Sequence, residues 1–344
     1  MPPSPQRILV TGGAGFVGSH VVDVLVAGGH DVVVLDSLVA HGGERPPWLH
    51  PGAELVVADV RDPDAWARAA RGVDAVCHQA SRVGLGVDFG DVGRYVDDND
   101  VGTAVGLGVL HDQGFRGWLV LASSMAVYGE GRYACPDHGD VRPGPRTRAD
   151  LDAGRFDPPC PSCGRSLTWA PIDEAAALDP RNVYAATKLH QEHLCAVFGR
   201  EHGVAVTALR YHNVYGPRMP RDTPYAGVAS IFTSAVERGE APRVYEDGGQ
   251  TRDFVHVVDV ARANVAALTA DEPVTGPLNV ASGTPRTVLD MARSICAGTD
   301  LEPVVVGGGR LGDVRHVVAS AARAERLLGF RAAEPFTPRT PAWT

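Results

Sequence analysis

The chain has 344 residues, a formal charge of −9, 44% hydrophobic residues and 21% charged residues. This length suits one large α/β unit with a lobe, or two domains, and the composition is ordinary for a globular protein. The negative balance argues against a nucleic-acid-binding surface, and no apolar run approaches the roughly 20 residues of a membrane span. Because the N-terminus also lacks a signal-peptide core, we expect a cytoplasmic protein that binds neither nucleic acid nor membrane.

The first predicted elements are a strand, a glycine-rich turn and a helix. Residues 7–11 read as a buried strand, and residues 19–27 have helical spacing. Such glycines allow a tight turn and the close approach of a pyrophosphate, which the N–H groups at the helix N-terminus can bind. The unit therefore predicts a dinucleotide site formed by Gly12, Gly15, Phe16, Val17 and Gly18.

Four more strands alternate with helical segments, a pattern typical of a parallel, doubly wound Rossmann-type sheet. Residues 31–35 precede Asp36, whose carboxylate suits a ribose 2′-hydroxyl and would repel a 2′-phosphate, so NAD is favoured over NADP. The strands at 54–58 and 74–78 lead to residues expected beside the adenine and the pyrophosphate, and residues 117–122 lead to Ser123 and Ser124. Those expected cofactor contacts are Asp59, Val60, Gln79, Ala80 and Ser81.

Lys188 is the only lysine among 32 lysine and arginine residues, and it follows Tyr184 by four positions. On a helix the two side chains share a face. An ammonium held beside a phenol favours the phenolate, which predicts a lowered pKa for Tyr184 and a role as general base. The alternative, a surface tyrosine and lysine on an ordinary helix, remains open from these two residues alone.

Together with several further motifs, these residues resemble the extended short-chain dehydrogenase/reductase family, and in particular its nucleotide-sugar epimerases and dehydratases. The resemblance covers nearly all of the chain. The motifs that carry it, besides the glycines, Asp36, Asp59, Tyr184 and Lys188, are Asn99-Asp-Val-Gly-Thr, Ser123-Ser124-Met-Ala-Val-Tyr-Gly129, Arg210-Tyr211-His-Asn213-Val-Tyr-Gly-Pro217, Arg252-Asp-Phe-Val-His256-Val-Val-Asp259 and Arg310-Leu-Gly-Asp313-Val-Arg315.

The resemblance implies a role for each matching residue. Tyr184 would be the acid/base, Lys188 would bind the nicotinamide ribose, and Ser124 would position the reacting sugar oxygen. Asn99 and Tyr211 would belong to the cofactor site. Arg252 and Arg310 would clamp the diphosphate of a nucleotide sugar, since a guanidinium fork suits phosphate oxygens, with Arg315 a weaker candidate. The other expected substrate contacts are Asn213, Val228, Arg243, Tyr245 and Asp313.

Two positions after Ser124 separate the possible reactions. Dehydratases of the family carry an Asp-Glu pair there to move further protons, whereas this chain has Met125 and Ala126. The resemblance therefore implies an NAD-dependent C4 epimerase. It extends to bacterial dTDP-L-rhamnose 4-epimerases through residues 83–89, Met125, residues 219–227 and an insertion, which implies dTDP-L-rhamnose and dTDP-6-deoxy-L-talose as substrates. A UDP-hexose or UDP-hexuronate 4-epimerase and a non-catalytic NAD-binding regulator are the alternatives.

Residues 131–171 form that insertion, between Ser124 and Tyr184. It contains Cys135-Pro-Asp-His138 and Cys160-Pro-Ser-Cys163, four ligands that would close a tetrahedral structural zinc site. The alternative is three incidental cysteines on a flexible loop. A zinc module that binds nucleic acid is disfavoured, because no base-reading helix follows the cysteines. Cys77, Cys195 and Cys296 lie in apolar patterns and read as small buried residues.

The predicted organisation is an NAD-binding Rossmann domain over residues 1–180, which includes the insertion. Residues 181–344 would supply the rest of that domain, interleaved with a substrate-binding lobe formed mainly by 214–252 and 276–344, with a tail from 335. The resemblance implies a homodimer.

Overall fold

The computed structural model describes residues 5–84, 89–221 and 227–338. Parts of the segments 83–89 and 219–227, on which the narrower resemblance rests, lie outside these residues. The strands, in chain order, are β1 (Arg7–Thr11), β2 (Asp31–Asp36), β3 (Glu54–Val57), β4 (Ala75–His78), β5 (Trp118–Ser124), β6 (Arg132–Cys135), β7 (Gly139–Val141), β8 (Thr168–Ala170), β9 (Ala205–Tyr211), β10 (Asn213–Tyr215), β11 (Arg243–Tyr245), β12 (Thr251–His256), β13 (Gly276–Val280), β14 (Pro285–Thr287), β15 (Val304–Gly307) and β16 (His316–Val317).

The α-helices begin with α1, which starts directly after the glycine turn. A π-helical segment, Val96–Val101, joins α3 to α4, and short 3₁₀ turns lie at Val39–His41, Phe89–Asp91 and Met125–Tyr128. The helices are α1 (Phe16–Ala27), α2 (Pro63–Ala69), α3 (Val92–Tyr95), α4 (Gly102–Asp112), α5 (Arg148–Asp152), α6 (Val183–His202), α7 (Val228–Glu237), α8 (Val257–Leu268), α9 (Val288–Cys296) and α10 (Ala322–Leu328). Within the described ranges, no helix is long and apolar enough to cross a membrane.

A seven-stranded sheet forms the centre of the fold, in the order β3-β2-β1-β4-β5-β9-β13. Every neighbouring pair is parallel. The five strands predicted from the first half of the sequence are confirmed, with β5 running two residues further, through Ser124. Strands rich in valine and leucine suit this position, because helices cover both faces of a parallel sheet.

Two layers of helices enclose the sheet. One core contains Val22 of α1 and Val260 of α8, and the other contains Trp66 of α2 and Phe198 of α6. Cys77, Cys195 and Cys296 are buried, as the apolar pattern predicts. The fold is therefore an α/β doubly wound sheet of the Rossmann type, as predicted.

The remaining strands and helices of the second half build a lobe beside the carboxyl ends of the sheet strands. Its core includes Tyr215, Phe232, Val244, Phe254 and Met291. The structure differs from the sequence-based prediction of the lobe in two places. Residues 276–280 belong to the central sheet as β13, and the segment after 335 is not wholly a tail, because Phe336 packs against the lobe core.

The insertion has regular structure. Strands β7, β6 and β8 form a three-stranded antiparallel sheet, and α5 follows β7 in the chain. Tyr133 is 1% exposed and Leu151 is also 1% exposed, so the segment has small buried anchors that its weak periodicity does not reveal.

Candidate active site

A cavity of about 1650 Å³ opens where the carboxyl ends of the sheet strands face the lobe. This edge of a doubly wound sheet is where ligands bind, and the volume exceeds the roughly 300–1,000 Å³ of common small-molecule sites. Apart from Asn99 and the weaker candidate Arg315, all predicted cofactor and substrate residues line it: Gly12, Gly15, Phe16, Val17, Gly18, Asp36, Asp59, Val60, Gln79, Ala80, Ser81, Ser124, Tyr184, Lys188, Tyr211, Asn213, Val228, Arg243, Tyr245, Arg252, Arg310 and Asp313.

The glycine turn is packed too closely for side chains. A Cβ on Gly18 would lie 2.1 Å from the carbonyl oxygen of Gly12, and Gly12 itself has a φ of +66°. Helix α1 begins after Gly15 with no side-chain cap and no acidic residue in its first turn. Its N-terminal N–H groups thus face the cavity side of the turn and fit the phosphates of a dinucleotide.

Asp36 ends β2 and holds the turn in place. Its Oδ2 accepts a hydrogen bond from the Ala14 N–H at 3.0 Å, and its Oδ1 accepts one from Leu38 at 2.8 Å. The carboxylate also lines the cavity, where it can accept from a ribose hydroxyl. These contacts fit the adenosine end of NAD.

Tyr184 and Lys188 lie on α6, and Ser124 lies at the end of β5. Lys188 is 3% exposed, and its Nζ donates to the carbonyl oxygen of Ala122 at 2.9 Å. The same Nζ is 6.0 Å from the centroid of the Tyr184 ring. The Ser124 side chain is near enough to the phenol to lower its pKa. The structure therefore brings the three predicted catalytic residues together, although 60 positions separate Ser124 from Tyr184.

The predicted lowering of the Tyr184 pKa is wrong for the protein alone. Burial raises the pKa of the phenol, because the phenolate loses its hydration, and the Ser124 side chain opposes that rise. Burial also lowers the pKa of Lys188 to about 7, so the ammonium charge that would favour a phenolate is itself destabilised. The lysine contacts a carbonyl rather than the phenol oxygen, a detail that the four-residue spacing could not show.

Asn99 is absent from the cavity wall. It is fully buried, where its Oδ1 accepts from the Arg82 N–H at 2.7 Å and from the Ser81 hydroxyl at 3.0 Å. Its Nδ2 donates to Thr187 of α6 at 2.9 Å. Asn99 thus ties the loop after β4 to the catalytic helix, and its contact with the cofactor stays a prediction.

Other residues of the cofactor side were missed by sequence reasoning. His41 Nε2 and Trp48 Nε1 lie 3.1 Å and 3.3 Å from the carbonyl oxygen of Ala14, and both rings line the cavity beside the glycine turn. Tyr211 is held by Asn264, which accepts its hydroxyl at 2.8 Å. No local motif marks His41 or Trp48, since a loop of irregular structure brings them there.

The substrate side carries the predicted arginines. Arg310 lies above the Tyr245 ring, with 6.0 Å between the guanidinium carbon and the ring centroid, and its Nε is 3.0 Å from Asp313 Oδ2. Arg252 is 8% exposed and donates to the carbonyl oxygens of Thr251, Val314 and Arg315. Burial lowers the pKa of Arg252, and nearby carboxylates of Asp313, Glu130 and Glu246 oppose that lowering. Its hydrogen bonds go to carbonyl oxygens, so an anion in the cavity could still gain a contact with the guanidinium.

Arg315 does not line the cavity. Its guanidinium pairs with Asp157, Glu246 and Asp247 at 2.7 to 2.9 Å, so it belongs to a structural ion-pair network. Two other cavity residues do point to a ligand: Asn213 Oδ1 and Gln250 Oε1 are buried oxygens that find no hydrogen-bond partner among the described residues. A buried polar atom of this kind is costly unless a bound group supplies the donor.

The four Cys/His side chains of the insertion converge. The ligand atoms of Cys135, His138, Cys160 and Cys163 all lie within 4.8 Å of one another. The Sγ atoms of Cys135 and Cys163 are 3.7 Å apart, and the Cys135 Sγ is 3.4 Å from His138 Nδ1. Tetrahedral ligands about 2.3 Å from zinc would be separated by roughly 3.8 Å, so the donor set and spacing fit that ion.

Fold and cavity together define an α/β enzyme with a dinucleotide site at the edge of its sheet. A sequence model described as the NAD dependent epimerase/dehydratase family matches residues 8–149 and 163–281. The chain belongs to that family, and it is an enzyme of the isomerase class.

Individual relatives agree with this assignment. The dTDP-L-rhamnose 4-epimerase of Burkholderia thailandensis is 36% identical over 342 residues, which cover 95% of this chain and 90% of the relative. The UDP-glucose 4-epimerase of Thermus thermophilus, solved in complex with NAD, is 30% identical with a TM-score of 0.77 and covers 96% of each chain. That of Thermotoga maritima, solved with UDP-glucose, is 29% identical with a TM-score of 0.79 and covers 96% and 95%.

Proposed function

We propose that this protein is an NAD-dependent C4 epimerase of a nucleotide sugar, with dTDP-L-rhamnose and dTDP-6-deoxy-L-talose as its substrate pair. The observation that carries the proposal is the convergence of Tyr184, Lys188 and Ser124 in the cavity that also contains the glycine turn. The relative from Burkholderia thailandensis, named for this activity, supports the choice of substrate. Retention of all three residues argues against a non-catalytic NAD-binding regulator.

The chain's own residues would carry the proton chemistry. Tyr184, in its ionised form, would take the proton of the sugar 4-hydroxyl through its phenolate oxygen, while Ser124 holds that sugar oxygen by a hydrogen bond. When bound, NAD supplies a hydride acceptor, so C4 becomes a ketone, and the same hydride later returns to the other face of C4. Tyr184 would then give its proton back to the sugar oxygen. Substrate and product are therefore isomers, and no net cofactor is consumed.

The residues after Ser124 favour epimerisation over dehydration. Met125 and Ala126 both line the cavity, and neither side chain can donate or accept a proton. A dehydratase needs a second acid/base pair at the reacting sugar to remove the C5 proton and release the 6-hydroxyl. An epimerase needs only room for the 4-keto sugar to turn, which small and flexible apolar side chains allow.

The substrate's 6-methyl group has a suitable neighbour. Met125, Val314 and Val317 form an apolar part of the cavity wall next to Ser124. Such a wall gains free energy from a methyl group and would have to desolvate the hydroxyl of a hexose. UDP-glucose remains the second candidate, because the similar solved epimerases from Thermus thermophilus and Thermotoga maritima are named for it.

A panel of nucleotide sugars tests this proposal. The purified protein, with no cofactor added, would be incubated with dTDP-L-rhamnose, UDP-glucose and UDP-glucuronate, and the products would be analysed by NMR. We expect an equilibrium mixture of C4 epimers from dTDP-L-rhamnose. Conversion of a UDP sugar alone would transfer the function to the second candidate, and no conversion of any sugar would refute the epimerase proposal.

We also propose that the Cys135–His138–Cys160–Cys163 cluster holds a structural zinc ion. Four protein ligands would leave no open position for substrate, so the ion would stabilise the hairpin between β6 and β7 rather than take part in the reaction.

A homodimer is a further proposal, supported by exposed Val96, Val101 and Val197 near the contact of α4 with α6. The cytoplasmic location stays a prediction.

A further inference from the structure

A buried ion pair joins the insertion to the substrate side of the cavity. Arg146 lies between β7 and α5, and its Nη1 is 2.5 Å from Glu246 Oε1, with side-chain exposures of 3% and 0%. Its Nη2 donates to the carbonyl oxygen of Asp313 at 2.6 Å. One guanidinium thereby contacts two loops that lie 100 and 167 positions further along the chain.

Both loops carry cavity residues. Glu246 follows Tyr245 directly and has a φ of +56°, a conformation that a side-chain-bearing residue keeps only when its surroundings hold it. Asp313 pairs with Arg310, which in turn lies above the Tyr245 ring. Tyr245, Arg310 and Asp313 all line the cavity. The contacts of Arg146 therefore link the two loops directly.

The rest of the insertion supports the same loops. Arg148 Nη1 donates to the carbonyl oxygen of Gly309 at 3.0 Å, and a Cβ on Gly309 would meet Leu151 Cδ1 at 3.4 Å. Asp157 accepts from Arg315 Nε at 2.7 Å. In contrast, no residue of 131–171 lines the cavity as described. The insertion therefore contacts the loops that carry cavity residues without lining the cavity itself.

We propose that Arg146 is a positioning residue, which holds the Tyr245 loop and the Arg310–Asp313 loop at the separation that binds the nucleotide diphosphate of the substrate. This rests on the proposed function, in which those loops contact the nucleotide sugar. Arginine suits the task because its planar fork can donate in two directions at once, whereas lysine offers a single charged centre. The role predicts an effect on substrate affinity, with no effect on bound NAD or on the chemical step.

A second ion pair of Glu246 allows Arg146 to be replaced without leaving that carboxylate unpaired. Glu246 Oε2 also pairs with Arg315 Nη1 at 2.9 Å, so removing Arg146 does not leave the buried carboxylate without a cation. Arg146→Met keeps the length and apolar body of the side chain, and Arg146→Lys keeps the charge but loses one of the two contacts. Arg155→Met is the matched control, because Arg155 lies in the same insertion with 63% side-chain exposure and pairs with Asp150.

The experiment uses the full-length holoenzyme and measures dTDP and UDP binding by calorimetry, bound NAD by absorbance after denaturation, and KM and kcat for the sugar that the wild type converts. For Arg146→Met we expect nucleotide affinity to fall and KM to rise by about tenfold or more, as small misplacements of binding groups do, while kcat and NAD content change little. Arg146→Lys should be intermediate, and Arg155→Met should match the wild type.

The results that would overturn the inference can be told apart from those that would overturn the proposed function. If the wild type binds neither nucleotide, the proposed function fails and the inference falls with it. If the wild type binds and Arg146→Met keeps the same nucleotide affinity and KM, the positioning role is wrong and the proposed function stands. Should Arg146→Met fail to fold, wild-type affinity and KM in Arg146→Lys would be the contradicting result.

Discussion

Lys188 Nζ donates a hydrogen bond to the carbonyl oxygen of Ala122 over 2.9 Å in the interior of the protein. This contact joins α6, which carries Tyr184, to β5, which carries Ser124 two residues further on. The lysine thus fixes the position of the acid/base relative to the hydroxyl that would hold the sugar. An arginine would place a larger planar group in the same fully enclosed space.

The phenol of Tyr184 is the group on which the reaction is expected to depend. We expect Tyr184→Phe to fold and to retain NAD but to lose activity by about 10²–10⁴-fold, the usual contribution of a general acid/base. Turnover followed by NMR measures this. Tyr215→Phe removes a buried phenol hydroxyl in the lobe, where it bonds to the Pro335 carbonyl, and should stay active. Comparable activity in both variants would show that Tyr184 is not the acid/base.

Gly18 should not tolerate a side chain. Its Cβ would lie 2.1 Å from the Gly12 carbonyl oxygen and 2.9 Å from the Gly13 Cα, and both are backbone atoms that cannot turn away. We expect Gly18→Ala to lose bound NAD and to unfold more easily by about 1–3 kcal/mol, the usual cost of overpacking. Chemical denaturation and NAD content after purification measure the two effects.

Gly108 is the control for that substitution. It also lies in a helix, but apart from its chain neighbours and the backbone of its own helix, no atom of the described chain lies within 4 Å of its Cβ position. Gly108→Ala should stabilise the protein by about 0.5–1 kcal/mol through helix propensity. Equal stability and equal NAD content in the two variants would show that the turn is less tightly packed than described.

The Cys/His cluster predicts one zinc ion per chain. Cys160→Ser should remove the zinc and lower the melting temperature, since a segment without a large core depends on its metal ligands. Elemental analysis by mass spectrometry and thermal unfolding measure these effects. Cys296→Ser, at a buried position of α9, should retain the zinc. Wild-type protein without zinc, together with unchanged unfolding of Cys160→Ser, would end the metal proposal.

Buried histidines predict a loss of stability in acid. His78 is 3% exposed between Thr11 and Thr103, and burial lowers its pKa to about 3 from an ordinary value of 6.5. Between those values the unfolded chain binds the proton and the folded chain does not. The free energy of unfolding should therefore fall as the pH drops below 6.5, by about 1.4 kcal/mol per pH unit for each such histidine.

Urea unfolding at pH 7 and pH 5 measures this slope. His78→Gln should make the slope shallower by about one proton, while His193→Gln, at an exposed position of α6, should leave it unchanged. The prediction fails if His78→Gln keeps the full slope, because the proton linked to unfolding would then belong elsewhere.

The first half of the sheet and the glycine turn were predictable because each depends on local pattern. Strands β1 to β5 are short apolar runs, and the glycines stand between the first of them and a helix. Tyr184 and Lys188 were predictable as a pair from their spacing, and Ser124 from its place after a strand. Residues brought to a shared edge by parallel strands can be expected to meet.

Other parts of the site depend on contacts that the sequence does not encode locally. Burial raises the pKa of Tyr184, so its predicted lowering was wrong. Asn99 bonds to Arg82 and Thr187 across the fold, and its contact with the cofactor stays a prediction. The pair of Arg146 with Glu246 joins positions 100 residues apart through the insertion's own fold. Such pairs follow from tertiary packing and have no sequence signature.

The central claim is that C4 of the sugar is oxidised and then reduced by one cofactor that stays in place. The measurement is epimerisation of dTDP-L-rhamnose carrying deuterium at C4, in unlabelled water, with the product examined by NMR. The account predicts that the product keeps its deuterium at C4, since the hydride leaves and returns without meeting solvent. Replacement of the C4 deuterium by solvent hydrogen during epimerisation would contradict it.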